Sequence, residues 1–132
     1  MFRTGLAQRS MKRTLSEGFY RFPDRDAYVE DFVRPYTFSP SSHERLRTLL
    51  THLNPKLTVT FSSYLYRVKI PTLILHGEHD PFIESAKVHA LAASLPAATM
   101  VTMRDCGHFP PIEQPEPTAS LITQFCHSLP TL

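Results

Sequence analysis

The sequence predicts an α/β fold in which a parallel βαβ unit follows a series of helices. Two short apolar runs, residues 72–76 and 99–103, are typical of strands, and residues 84–95 between them carry apolar side chains at helical spacing. A helix between two strands is the usual crossover of a parallel pair. The character of the sequence therefore changes near residue 70, where helical patterns are followed by this βαβ unit.

Two helices are predicted near the N-terminus. The first runs from Leu6 to about Glu17, and Gly18 is a candidate C-cap. The second follows Pro23-Asp24, with its end expected at Pro35. Its apolar side chains share one predicted face and are Tyr28, Val29, Phe32 and Val33.

A third helix is expected to begin at a Ser42 N-cap and to end at Asn54-Pro55. Its predicted apolar stripe consists of Leu46, Leu49, Leu50 and Leu53. The next segment is ambiguous, because residues 57–62 alternate as in a strand whereas residues 64–68 fit a helix better.

The first predicted strand resembles one buried on both faces, since Leu73, Ile74 and Leu75 are consecutive apolar residues. After the second strand, a helix is predicted from Glu113 to about Ser128, with two prolines in its first turn. Its side chains expected to face the sheet are Leu121, Ile122 and Phe125.

Composition favours a folded, soluble domain. The 132 residues are 42% hydrophobic and 20% charged, and 14 basic residues face 12 acidic ones. No long basic run points to nucleic acid, and no apolar run approaches the ~18 residues of a membrane span. Two cysteines are too few for a disulfide framework, and no signal peptide is recognisable, so a cytoplasmic location is expected.

Two polar motifs follow the predicted strands. His76-Gly77-Glu78-His79-Asp80 follows the first, and Asp105-Cys106-Gly107-His108 follows the second. The carboxyl ends of parallel strands share one edge of the sheet, where ligands bind in open α/β sheets. The sequence therefore predicts that Asp80 and His108 can meet.

These motifs resemble the C-terminal portion of the α/β-hydrolase superfamily. That portion typically reads P-T-L-I-x-x-G-x-x-D, then a helix and a strand, then G-H-x-x-x-x-E-x-P. The matching residues lie within about 68–126 and include Pro71, Thr72, Leu73, Gly77, Asp80, Gly107, His108, Glu113 and Pro115. The fold implied is the C-terminal half of an α/β-hydrolase, and residues 1–67 then resemble the end of its cap.

The resemblance implies that Asp80 is the acid and His108 the base of a catalytic triad. The imidazole would accept a proton from a nucleophile, and the carboxylate would fix its tautomer. A metal cluster of His76, His79, Cys106 and His108 lacks the usual ligand spacing, so no metal is expected. Cys106 is predicted to be structural, and the tyrosines that could polarise an epoxide are more simply packing residues: Tyr20, Tyr28 and Tyr36.

The nucleophile of such a triad is not found in this sequence. A G-x-S-x-G elbow needs two glycines four residues apart, and the four glycines are Gly5, Gly18, Gly77 and Gly107. These four glycines are also too far apart for G-x-G-x-x-G or Walker A loops, and no cofactor is expected. We expect that a separate chain or a longer gene product supplies the N-terminal half, with its nucleophile and oxyanion hole.

Three functions remain open at this point. The leading one is a hydrolase portion that acts on a small-molecule substrate only when completed by an N-terminal half. The second is a non-catalytic module that self-associates through an exposed sheet edge. The third is a product without function. For the hydrolase, the choice between a serine and an aspartate nucleophile stays open.

Overall fold

The computed structural model describes residues 4–37, 39–52 and 55–130. Seven helices, one short 3₁₀ turn and two strands lie within these ranges. Their order and bounds are α1 (Thr4–Glu17), α2 (Arg25–Thr37), α3 (Pro40–His52), α4 (Pro55–Ser62), the 3₁₀ turn (Leu65–Arg67), β1 (Thr72–Gly77), α5 (Ser85–Ser94), β2 (Ala98–Met103), α6 (Pro110–Glu113) and α7 (Pro115–Ser128).

The βαβ unit is confirmed. Strands β1 and β2 pair in parallel, with the register running from Thr72 opposite Ala98 to Gly77 opposite Met103. Helix α5 crosses between them and packs against both strands. Both strands therefore end at the same edge, which brings the two polar motifs together.

Strand β1 is less enclosed than predicted. Its residues 72–75 are only half-buried, and full burial begins at His76 and Gly77. In the part of the chain that the structure describes, the sheet has two strands, so the edge of β1 opposite β2 has no strand neighbour. The apolar run that predicts burial on both faces thus lacks a covering element among these residues.

Helices α1 and α2 form the base of the N-terminal part. They pack against each other, and an ion pair between Lys12 and Glu30 joins them at the surface. Val29 and Val33 are buried, whereas Tyr28 and Phe32 are 47% and 52% exposed. Two of the four side chains on the predicted apolar face are therefore buried, and two are exposed.

The expected stop at Pro35 is wrong, because Pro35 lies inside α2. Proline removes one backbone donor and crowds the preceding turn. Here α2 ends two residues later, at Thr37. The disruption therefore falls in the last turn, where a helix frays anyway.

The N-cap of α3 is Ser39 and not Ser42. The Ser39 hydroxyl accepts a hydrogen bond from the Ser42 backbone N–H at 3.2 Å, and Pro40 occupies the first helical position. A proline there gives up a donor that has no helical partner in any case. Leu49 of the predicted stripe is 62% exposed. Leu53 and Asn54 lie outside the described residues.

The ambiguous segment is helical throughout its regular parts. Residues 55–62 form α4, and the 3₁₀ turn follows at residues 65–67. The strand-like alternation at residues 57–62 is therefore misleading. No partner strand lies beside it in the described parts of the chain, and an isolated alternating segment gains nothing from the extended conformation.

Gly18 follows α1 as predicted but does not adopt the left-handed conformation of a glycine C-cap. Its N–H bonds to the Leu15 carbonyl at 3.1 Å. A Cβ at this position would lie 2.6 Å from the Phe109 ring and 2.9 Å from the Phe82 ring. Close packing against these two rings, rather than a special backbone angle, thus favours glycine at this position.

The C-terminal helix begins later than predicted. A single-turn helix, α6, ends at Glu113, Gln114 breaks the path with φ −140°, and α7 starts at Pro115. Thr118 is buried, and its hydroxyl donates to the Pro110 carbonyl at 3.0 Å, which joins the two helices. Ile122 is 46% exposed, so only part of the predicted apolar face is covered.

Candidate active site

Asp80 and His108 meet as predicted. Asp80 lies in the loop after β1 and His108 in the loop after β2, and His108 Nδ1 is 2.9 Å from Asp80 Oδ2. Because an ionised carboxylate can only accept, the Nδ1–H donates this bond. The Asp80 side chain is 5% exposed and that of His108 is 32% exposed. A buried acid therefore orients a partly accessible imidazole.

The Asp80 carboxylate is held from both sides. Its other oxygen, Oδ1, accepts hydrogen bonds from the backbone N–H groups of Phe82 at 2.8 Å and Ile83 at 3.1 Å. Burial acts to raise the pKa of Asp80, but the bonds from His108, Phe82 and Ile83 outweigh it and lower that pKa below its usual range. The acid is thereby kept ionised and fixed in orientation.

His108 is fixed by its backbone and by two aromatic rings. Its N–H donates to the Gly18 carbonyl at 2.7 Å. The rings of Phe82 and Phe109 stand edge-on to the imidazole, each with its centroid 5.0 Å away. These contacts leave the imidazole little room to rotate.

A cavity of about 380 Å³ lies beside the pair. It runs along β1 and is otherwise lined mainly by apolar residues. Its lining comprises Ile74, Leu75, His76, Gly77, Asp80, Ile83, Lys87, Val88, Leu91, His108 and Pro110. Among the described residues, none hydrogen-bonds the second imidazole nitrogen, Nε2 of His108. That nitrogen can accept a proton from an incoming group.

The two histidines of the first motif, His76 and His79, make different contacts. His76 is 5% exposed and its Nε2–H donates to the Ile83 carbonyl at 2.9 Å, beside the backbone that holds Asp80. His79 stacks on Tyr20 with 3.7 Å between ring centroids. Over the ranges that the structure covers, no three histidine, cysteine or acidic side chains converge in a way that could hold a metal ion.

The predicted structural role of Cys106 agrees with its surroundings. Its side chain is completely buried. Burial, followed by the charges of Glu113 and Asp80, raises the pKa of the thiol to about 11. A thiol that remains protonated at neutral pH is a poor nucleophile.

Each of the three tyrosine rings lies against another ring. Tyr20 stacks on His79, Tyr28 lies 5.6 Å from the Phe22 ring, and Tyr36 lies 5.9 Å from the Phe32 ring, measured between centroids. None of the three lines the cavity beside the acid and histidine.

Glu113 is a member of the site that the sequence places only within a motif. Its Oε2 accepts hydrogen bonds from the N–H groups of Tyr20 at 2.8 Å and Gly107 at 3.0 Å, and its Oε1 accepts one from Phe109 at 3.0 Å. The only sequence signal for this is its fixed position five residues after His108. A carboxylate thus joins the N-terminal segment to both neighbours of His108.

Comparison with known proteins identifies the family of this chain. A model of the alpha/beta hydrolase family matches residues 1–121. This chain therefore belongs to the alpha/beta hydrolase family.

Two relatives illustrate the similarity. The chain is 32% identical over 87 residues to 2-hydroxy-6-oxononadienedioate/2-hydroxy-6-oxononatrienedioate hydrolase 2 of Pseudomonas putida, which covers 64% of this chain and 30% of that protein. It is 28% identical over 83 residues to monoacylglycerol lipase ABHD6 of Mus musculus, covering 63% of this chain and 25% of the lipase.

Solved structures share the fold. The 2-hydroxy-6-oxo-6-phenylhexa-2,4-dienoate hydrolase of Rhodococcus sp. strain RHA1 superimposes with a TM-score of 0.76 at 16% identity, covering 92% of this chain and 44% of that one. The esterase RhEst1 from Rhodococcus sp. ECU1013 gives 0.73 at 20% identity, covering 98% and 45%. The chain thus spans less than half the length of these proteins.

Proposed function

We propose that Asp80 and His108 are the acid and base of a hydrolase triad whose nucleophile lies outside these 132 residues. One observation carries the proposal: Asp80 Oδ2 accepts a 2.9 Å hydrogen bond from His108 Nδ1, which leaves Nε2 as the proton acceptor. The absence of any glycine pair at elbow spacing and the 30% coverage of the Pseudomonas putida relative support an external nucleophile.

The reaction that fits is hydrolysis of an ester or a related bond in a small molecule. His108 would take the proton of the nucleophile as it attacks and return that proton to the leaving group. Asp80 would stabilise the imidazolium formed between these two steps. The Mus musculus relative is named a monoacylglycerol lipase, and a monoacylglycerol is an ester, which supports this bond class.

The roles of the two parts of the chain follow from the same proposal. Residues 68–132 contribute the last part of the hydrolase core, and residues 1–67 form the end of a cap over the substrate. The cytoplasm is the proposed location. In the described parts of the chain, no helix combines the length and apolar character needed to cross a membrane.

Complementation tests the proposal. The chain is co-expressed with an N-terminal hydrolase half that carries a G-x-S-x-G elbow, and turnover of p-nitrophenyl butyrate is measured. The chain alone should give no turnover, because the oxyanion donors are worth about 3 kcal/mol each and belong to the other half. The complemented chain should be active.

Variants assign the activity to the pair. His108→Ala and Asp80→Ala should lower kcat by roughly 10³-fold or more in the complemented protein. His127→Ala is the matched control, because His127 is exposed near the end of α7. Turnover by the isolated chain that survives His108→Ala would rule out the proposed roles.

A non-catalytic module is a second candidate, favoured by uncovered apolar surface. Val59 and Ile70 are 72% and 74% exposed, and β1 has a strand edge without a neighbour in the described residues. Burial of this surface against a second copy would produce a dimer whose population rises with protein concentration. Sedimentation equilibrium of the chain alone distinguishes a dimer from a monomer that needs a different half.

A further inference from the structure

We propose that Glu113 is a positioning residue for His108. Its carboxylate connects the segment at residues 18–20 to the loop that carries His108, and this connection, called the joint below, sets the place of the imidazole. Three backbone N–H groups converge on its carboxylate at 2.8–3.0 Å. Two of them, from Gly107 and Phe109, flank His108 in the chain. The third, from Tyr20, is 93 residues away in sequence.

Near Glu113, the loop that carries His108 packs closely against the segment at residues 18–20. A Cβ on Gly107 would overlap the Gly18 carbonyl and lie 2.9 Å from the Tyr20 nitrogen and 3.0 Å from Glu113 Oε1. The loop and the segment 18–20 are therefore in backbone contact, with no side chain between them. A carboxylate is the group that suits this point, because it accepts several N–H bonds at once and donates none.

Two further contacts bind the same segment to the same loops. The backbone N–H of His108 donates to the Gly18 carbonyl at 2.7 Å. The Tyr20 ring stacks on the His79 ring, and the backbone N–H of His79 donates to the Cys106 carbonyl at 2.9 Å. Displacement of segment 18–20 would thus pull on both sides of His108. This makes the segment that follows α1 part of the support of the site.

The catalytic meaning of this joint rests on the proposed function, whereas the joint itself does not. Glu113 touches neither Asp80 nor the imidazole by any hydrogen bond in the described residues. It acts through the backbone of Gly107 and Phe109. Its removal should therefore loosen the Asp80–His108 bond without removing either partner.

The test compares Glu113→Gln with wild type by NMR of the whole chain. A glutamine side chain is nearly isosteric, but its NH₂ group cannot accept, so at least one N–H loses its partner. Hydrogen bonds to a charged group stabilise more than neutral ones, so their loss should speed up the amide exchange of Tyr20, Gly107 and Phe109 by roughly tenfold or more. The proton on His108 Nδ1 should broaden or disappear from the downfield region.

Glu116→Gln is the matched control, because Glu116 is an exposed glutamate in the first turn of α7. It should behave as wild type in both readouts. Faster amide exchange with an unchanged His108 proton would overturn the positioning role. If Glu113→Gln does not fold, the wild-type chain still decides: rapid exchange of the Tyr20 amide beside a protected Gly107 amide would refute the joint.

The same variant in the complemented protein separates this inference from the proposed function. Glu113→Gln should lower kcat by roughly tenfold or more while KM changes little, and Glu113→Asp should recover part of the loss. If His108→Ala has no effect on turnover, the proposed function fails, yet the NMR result on the joint stands on its own.

Discussion

Substitution of Gly77 by alanine tests whether the two motif loops are held in backbone contact. Gly77 ends β1, and neither it nor any other described glycine has positive φ, so alanine would bring no backbone strain. The added methyl group would nevertheless overlap the Gly107 carbonyl and lie 2.6 Å from the Cys106 carbonyl oxygen. Both obstacles are backbone atoms, which no change of side-chain rotamer can clear.

The expected loss of stability follows from the separation of the two motif loops. Moving the loops apart weakens the bonds from Glu78 N–H to the Met103 carbonyl and from His79 N–H to the Cys106 carbonyl, both 2.9 Å long. Overpacking and the two weakened bonds together give a loss of roughly 3–5 kcal/mol in the free energy of unfolding. That is a large part of the 5–15 kcal/mol of a typical domain, as an order of magnitude.

Urea unfolding followed by far-UV circular dichroism measures this loss, with Gly18→Ala as the control. At Gly18 the nearest obstacles are the outer edges of the Phe109 and Phe82 rings, which can shift. The control should therefore cost only about 1–2 kcal/mol. A Gly77→Ala variant as stable as Gly18→Ala, or more so, would refute the close backbone contact between the two loops.

Three further predictions concern single groups. The lowered pKa of Asp80 means that its stabilising effect is complete above pH ~4, the ordinary pKa of an unfolded aspartate, and is lost as the pH falls through the lowered folded value. Asp80→Asn should therefore flatten the acid limb of stability measured by urea unfolding, and an unchanged acid limb would contradict the assignment. Cys126, which is exposed, should react with an iodoacetamide reagent at pH 8, whereas buried Cys106, with a pKa of about 11, should react only on unfolding. Equal labelling rates by mass spectrometry would argue against this. Ser39→Ala should lower the free energy of unfolding by about 1 kcal/mol through loss of the α3 N-cap, whereas Ser42→Ala should retain that cap.

The meeting of Asp80 and His108 is predictable from sequence because it follows from topology. Each residue is in the loop after a strand, and parallel pairing places both loops at one edge. The strands themselves are visible as short apolar runs. No knowledge of distant contacts is needed for either step.

The role of Glu113 is not predictable in the same way. Its partners are backbone N–H groups, which every residue except proline carries, so they leave no trace in the sequence. The Tyr20 N–H is also distant along the chain. The motif indicates that a glutamate belongs at this position, but only the structure identifies what its carboxylate binds.

The local errors in the helices concern their boundaries. Pro35 and Ser42 are each sound signals for a helix boundary, but α2 ends two residues after Pro35 and the N-cap of α3 lies three residues before Ser42. The strand-like alternation at residues 57–62 fails for another reason: it needs a partner strand, and the described residues contain none beside it. Sequence patterns rank such alternatives, and packing decides between them.

The tautomer of His108 shows directly whether Asp80 orients the imidazole for proton transfer. The chain is labelled with ¹⁵N at histidine and its imidazole shifts are recorded at a pH where the rings are neutral. We expect His108 to carry its proton on Nδ1, hydrogen-bonded to Asp80, and Nε2 to be bare, with this preference lost in Asp80→Asn. A proton on Nε2 in the wild-type chain, or a pattern unchanged by Asp80→Asn, would contradict the assignment of Asp80 and His108 as acid and base.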